Sequence, residues 1–226
     1  MSHFRTIKKV VIAGDGAVGK TTTIAVLANY FQSRFESTYF KSNQPVELED
    51  ISRTRLIDFH TLQINHNDTK EIFQIWDIQG QRFTNPSHKV PTNPLDLIPK
   101  IIIGHASLII LMFSLQDYAS FQHLFEEGGW YESIKEFIGK ETNVLLVGNK
   151  SDLEQEVYDN IIEKTCSIYP ISKFFSMSAI HGTNVQVLSE FIYNTLFSES
   201  CFIIHQATLT INTVLIIFPG EYNCSY

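Results

Sequence analysis

The 226-residue chain predicts an α/β fold: a mostly parallel six-stranded sheet with one antiparallel edge strand and helices on both faces. Three observations carry that expectation. Short apolar, β-branched runs alternate along the chain with helix-compatible stretches. Two of the runs, 107–113 and 143–147, are continuously apolar, as strands covered on both faces should be. A glycine-rich segment at 14–21 stands between the first such run and the first helix-compatible stretch.

Residues 8–13 form the first strand and 21–30 the first helix. Segments 55–64 (R-L-I-D-F-H-T-L-Q-I) and 71–77 (E-I-F-Q-I-W-D) alternate apolar and polar residues around a turn-like 65–69, which predicts an antiparallel hairpin. The runs 107–113 and 143–147 supply central strands, and 174–177 a weaker last one. Helical spacing covers 118–138, interrupted by Gly128-Gly129, then 156–166 and 184–197. Two segments exceed this plan. Residues 37–52 are polar, with Pro45 and the acidic Glu47, Glu49 and Asp50, and read as an inserted loop. Residues 85–99 hold Pro86, Pro91, Pro94 and Pro99 and cannot be one uninterrupted helix.

Composition narrows the function classes. With 44% hydrophobic and 18% charged residues the chain is an ordinary globular domain, and its length fits one domain with an appendage. A net charge of -7 argues against a nucleic-acid partner, because backbone phosphates require clustered Lys and Arg. Cys166, Cys201 and Cys224 are isolated, so neither a disulfide framework nor a zinc site is indicated and a cytoplasmic location is expected. The apolar run 10–13 is too short for a signal sequence. Ser2 rules out myristoylation, and Cys224 is too near the end for a prenylation box, so no lipid anchor is expected.

The segment Gly14-Asp15-Gly16-Ala17-Val18-Gly19-Lys20-Thr21 fits the phosphate-loop pattern G-x-x-x-x-G-K-[ST]. Its glycines let successive amides turn inward around phosphate oxygens, and the following helix adds its partial positive charge. Lys20 can reach the outer phosphates and Thr21, followed by Thr22, can offer a hydroxyl to magnesium. Trp76-Asp77-Ile78-Gln79-Gly80-Gln81 sets an aspartate at a strand's carboxyl end, where it can hold magnesium through water, and Gly80 near a terminal phosphate. Asn149-Lys150-Ser151-Asp152 follows the strand 143–147. The Asp152 carboxylate accepts two N–H groups, a pattern that guanine presents and adenine does not. Ser178-Ala179 would bring the Ala179 amide to the guanine O6.

These four motifs, in order over about residues 6–197, resemble the Ras-like small GTPases, the Rab and Ras type above all. The resemblance implies a P-loop NTPase G domain over residues 1–198, with a guanine-nucleotide switch's activity: GTP and GDP held with magnesium, slow hydrolysis, and roles in signal transduction or vesicle traffic. It assigns Lys20 to the outer phosphates, Thr21 and Asp77 to magnesium, Gln81 to the attacking water, and Gly16 to the room that water needs. Effectors, an exchange factor and a GTPase-activating protein are implied as partners. A threonine of the first mobile loop should complete the magnesium shell; Thr54 has the family's register to the following strand, and Thr38 lies nearer in sequence count. Phe31 or Phe35 would lie against the base or in the core. The insertions 37–52 and 85–99 fall in the two nucleotide-sensing loops.

Departures from the family pattern are Ile78-Gln79 ahead of Gly80, Arg82 without a following glutamate, and Ile180 in place of a lysine. They leave a GTP-holding scaffold with little hydrolysis as the alternative. The extension 199–226 lies outside the resemblance. Its apolar stretch 201–218 carries too many polar groups for a good spanning helix and reads as an added hairpin or partner-covered strand pair, with membrane association as the lesser reading.

Overall fold

The computed structural model describes residues 4–41, 57–66, 69–80, 95 and 98–209. Their strands form a single seven-stranded sheet. In chain order the elements are β1 (Phe4–Ala13), α1 (Lys20–Arg34), β2 (Glu36–Lys41), β3 (Ile57–His66), β4 (Thr69–Ile78), α2 (Pro99–Ile103) and β5 (Leu108–Ser114). They continue as α3 (Tyr118–Phe125), α4 (Trp130–Ile134), β6 (Asn143–Asn149), α5 (Asp159–Ile168), β7 (Lys173–Ser176) and α6 (Val185–Leu209).

The sheet order is β2-β3-β4-β1-β5-β6-β7. Strands β4, β1, β5, β6 and β7 run parallel, and β3 runs antiparallel to both of its neighbours. Chain order reverses at β1, which pairs β4 on one side and β5 on the other. That reversal opens a crevice at the strands' carboxyl ends, where open α/β sheets bind ligands.

Periodicity explains the two cores. Along β1, β5 and β6, Val10, Ile12, Ile110, Met112, Leu145 and Val147 face one side and meet Ile24, Leu27 and Phe31 of α1 and Leu188 and Ile192 of α6. The intervening Val11, Ala13, Ile109, Leu111, Phe113 and Leu146 face the other side and meet Leu124, Trp130, Ile134 and Ile162. Every residue of β5 is buried, as its continuous apolar run requires. Phe31 packs 5.3 Å from Phe73, and Phe35 stacks 5.2 Å from Tyr193, so both belong to the core side of α1 and not to a base site.

Most sequence-predicted elements stand where expected. The hairpin is β3 and β4, paired from Ile57↔Ile78 to His66↔Thr69. The helix interrupted at Gly128-Gly129 is α3 followed by α4. Pro99 occupies the first turn of α2, where its missing N–H costs nothing.

Two expectations are corrected. The start of the supposed loop 37–52 is strand: β2 pairs with β3 from Glu36↔Asn65 to Lys41↔His60, so the sheet has seven strands and the antiparallel β3 is not at its edge. An edge strand needs only one apolar face, and the polar residues of 36–41 concealed it. Second, α6 continues to Leu209, so residues 201–209 are helical and not part of a hairpin; 210–218 lies outside the described residues. Among the described residues, no helix is long and apolar enough to cross a membrane.

Candidate nucleotide-binding site

The phosphate loop joins the end of β1 to the start of α1. Gly14 (φ 145°) and Gly19 (φ 99°) hold backbone angles that side chains rarely adopt, and each is also crowded. A Cβ on Gly14 would overlap the Met112 carbonyl of β5, and one on Gly19 would overlap the Asn149 amide of β6. The loop is therefore seated on the two neighbouring strands before any ligand arrives. Gly16 and Ala17 are its exposed tip.

Lys20 is 6% exposed, and its ammonium donates to the carbonyls of Gly14 and Asp15, both at 2.8 Å. Burial lowers its pKa from 10.5 to about 8, against the opposing pull of Asp77 and Asp15. Such a side chain gains from an anion placed inside the loop. Thr21, in the first turn of α1 beside Thr22, donates its hydroxyl to Asp77 Oδ2 at 2.5 Å. Asp77 is fully buried near the end of β4. Behind it His60 of β3 is also fully buried, with Nε2 4.0 Å from Asp77 Oδ2 and Nδ1 2.5 Å from the Tyr39 hydroxyl of β2. Burial, reinforced by Asp77 and Asp58, pushes the Tyr39 phenol up to about 12, so it stays protonated.

Gly80, two residues beyond β4, lies directly on the loop, since a Cβ there would collide with the Asp15 carbonyl and the Gly16 nitrogen. Asn149 closes the other side. It is 3% exposed, donates through Nδ2 to Val18 O at 2.9 Å, and accepts at Oδ1 from Ala179 N at 3.0 Å. The Ala179 amide is thus committed to Asn149 in this structure, where the sequence pointed it at a base oxygen. Lys150 takes the left-handed turn (φ 63°) that carries the chain to Asp152. A hydrogen bond from Ser178 holds the Asp152 carboxyl below its usual range, with smaller help from His181, whose Nε2 is 3.7 Å away. Asp152 keeps an exposed position.

The structure therefore brings together Gly14 to Thr22, Asp77, Gly80, Asn149, Lys150, Asp152, Ser178 and Ala179 at one end of the sheet. Gln81, Thr54 and nearly all of 85–99 lie outside the described residues. Thr38 pairs with Gln63, five rungs along the ladder from the Asp58↔Asp77 rung, or about 17 Å at strand spacing, which places it away from Thr21 and Asp77. Sequence reasoning missed His60, Tyr39, His123 and Trp130; the last two bond to the Asp15 carboxylate from α3 and α4. Their separations of 108 and 115 residues from Asp15 leave no local signal.

Two hard oxygen donors converge at Thr21 and Asp77, a pair whose chemistry fits magnesium beside phosphate oxygens. Among the described residues no group of three or more His, Cys, Asp or Glu gathers into a separate metal site.

The model of the Ras family matches residues 9–197. The chain is similar to the Ras-related protein SEC4 of Saccharomyces cerevisiae, 27% identical over 155 residues that cover 68% of this chain and 58% of that protein. It is also similar to the Ras-related protein Rab-13 of Bos taurus, 28% identical over 180 residues, 78% of this chain and 73% of that protein. A third similarity, 27% over 173 residues, is to the EF-hand calcium-binding domain-containing protein 4B of Homo sapiens, of which it spans 20%.

Proposed function

Because the chain belongs to the Ras family, we propose that it is a guanine-nucleotide switch that binds GTP and GDP with magnesium and hydrolyses GTP slowly. The observation that supports this most is the Asn149 bridge, which ties the phosphate loop, the N-K-S-D turn and the Ser178-Ala179 turn into one unit. That unit sets the Asp152 carboxylate at the same end of the sheet as Lys20, the first residue of α1. Two acceptor oxygens at Asp152 match the two donors on one edge of guanine. Ala179 would reach O6 only by exchanging its bond to Asn149.

In this reading the loop amides and the Lys20 ammonium hold the β- and γ-phosphates, and Thr21 and Asp77 hold the ion. Magnesium would supply charge neutralisation at the phosphates. Gly80 would sense the terminal phosphate through its amide, and Gln81 would orient the attacking water in the room left by Gly16. Thr54 is the residue we assign to the ion from the segment ahead of β3. The inserts at 37–52, beyond the part that is strand β2, and at 85–99 would then respond to the γ-phosphate and present the surface for effectors, an exchange factor and a GTPase-activating protein.

Competition between guanine and adenine nucleotides tests the reading first: a labelled GDP should be displaced by GTP and not by ATP, and equal displacement refutes it. Single-turnover hydrolysis then decides about turnover. A Gln81→Leu variant slower than wild type supports the switch. Equal slowness of the two, with no acceleration by any partner, favours a GTP-holding scaffold, the reading that Ile78 and Gln79 ahead of Gly80 keep in play.

A further inference from the structure

The phosphate loop has one anionic side chain, Asp15, and the structure spends two donors on it. Trp130 Nε1 donates to Asp15 Oδ1 at 2.7 Å, and His123 Nδ1 stands 2.5 Å from Asp15 Oδ2. A carboxylate brings no proton, so the His123 nitrogen that faces it carries the hydrogen. An indole has a single N–H, and that of the fully buried Trp130 goes here.

The local chain is built to deliver both donors. α3 ends at Phe125, and the turn that follows uses Gly128 at φ 73° and returns the Gly129 amide to Glu126 O at 2.8 Å. Gly129 is pressed onto the end of α3 so closely that a Cβ would meet the His123 and Glu126 carbonyls at 2.5 and 2.8 Å. This brings the first residue of α4, Trp130, beside His123 on the last turn of α3. The Gly-Gly break in the predicted helix thus gathers two donors seven positions apart onto one carboxylate.

The same Asp15 also takes the Lys20 ammonium on its backbone carbonyl and supports Gly80 against its main chain. We propose that His123 and Trp130 are positioning residues for nucleotide retention: they hold the Asp15 carboxylate turned out of the phosphate loop and offset its charge, fixing the peptide on which Lys20 and Gly80 rest. Charge-assisted bonds of this kind impose one orientation on a carboxylate. Without them, a mobile negative charge lies in the loop that receives phosphates. The inference deepens the nucleotide reading and rests on it for its kinetic consequence, whereas the clamp itself stands on geometry alone.

The test uses the full chain loaded with a fluorescent GDP analogue. His123 is partly exposed, so its variants avoid the folding cost of replacing Trp130. His123→Ala should speed analogue dissociation about tenfold or more, the usual effect of losing a hydrogen bond to a charged group. His123→Asn, whose amide nitrogen can take the place of Nδ1, should restore slow release. In an Asp15→Asn background, where the charge is gone, His123→Ala should change the rate by less than about twofold. A purely structural role for His123 would give the same acceleration in both backgrounds, and that result overturns the proposal, as does wild-type behaviour of His123→Ala. A second readout needs no nucleotide: Trp76 and Trp130 are the two tryptophans, and Trp76→Phe assigns their indole N–H signals. Asp15→Asn should shift the Trp130 signal. An unmoved signal refutes the clamp, while a moved signal in a protein that fails to retain GDP leaves the clamp standing and refutes the nucleotide reading.

Discussion

Replacing Asn149 isolates the interaction that closes the site. Its amide spans two backbone groups from distant parts of the chain, the Val18 carbonyl at 2.9 Å and the Ala179 N–H at 3.0 Å, in a position 3% exposed. Only a group with one donor and one acceptor can serve both. Asn149→Ala removes two hydrogen bonds worth about 1 kcal/mol each net, and strands a buried donor and acceptor at about 1–3 kcal/mol apiece where water cannot replace the amide. Gly19 sits against the Asn149 amide nitrogen, so truncation opens a polar space at the loop that water can partly fill. The expected loss is therefore about 2–4 kcal/mol, or about 4–16 °C in melting temperature for a chain of this size. Asn149→Asp keeps the acceptor for Ala179 but turns an oxygen toward the Val18 carbonyl. At neutral pH it should cost at least as much as alanine, and it should recover as acid protonates the new carboxyl and restores a donor. Urea unfolding of the nucleotide-free protein measures both. A loss below about 0.5 kcal/mol for Asn149→Ala, or an aspartate variant that gains nothing on acidification, would refute the bridging account.

Gly80→Ala places a methyl group on the backbone of Asp15 and Gly16, so GDP release should quicken by about tenfold, at an overpacking cost of about 1–3 kcal/mol; unchanged release in a fluorescence assay would show that the loop yields freely. In the nucleotide-free protein Lys20 titrates at about 8, below its ordinary 10.5. Between those values the unfolded chain binds the extra proton, so stability should rise with pH by up to about 1.4 kcal/mol per unit, and the wild-type minus Lys20→Met difference in urea unfolding should show that slope. A flat difference from pH 8 to 10 contradicts the burial of the Lys20 ammonium as the cause of its lowered pKa. Tyr39→Phe removes the phenol from His60, and should lower stability by about 1 kcal/mol, with a smaller change if the buried imidazole finds water; denaturation midpoints within error of wild type would argue that β2 is not anchored through that pair.

What the sequence made legible was whatever is local. The phosphate loop, Asp77, Asn149 and Asp152 each sit in a short pattern at a strand end, where backbone geometry dictates residue type. β1, β5 and β6 could be read because strands buried on both faces leave unbroken apolar runs. β2 escaped notice because an edge strand carries a polar face, and its key contact, Tyr39 with His60, is across the sheet. The clamp on Asp15 was illegible for a related reason: Gly128-Gly129 reads as a helix break, but nothing in the one-dimensional pattern says which two donors the break assembles. The Phe31 and Phe35 rings could be settled only by packing, since aromatics at a helix end satisfy a core and a base equally well.

The ladder between β2 and β3 has an architectural consequence. Lys41 lies across from His60, and β3 begins three residues before it at Ile57, so the chain leaves the sheet and re-enters it at neighbouring points of the same rim. A stretch whose two ends are moored that close can be lengthened or shortened without disturbing the scaffold, because doubling it adds only about 0.6 kcal/mol of closure entropy. Insertions between 42 and 53 should therefore shift the unfolding midpoint little, provided Thr54 keeps the place assigned to it beside the ion.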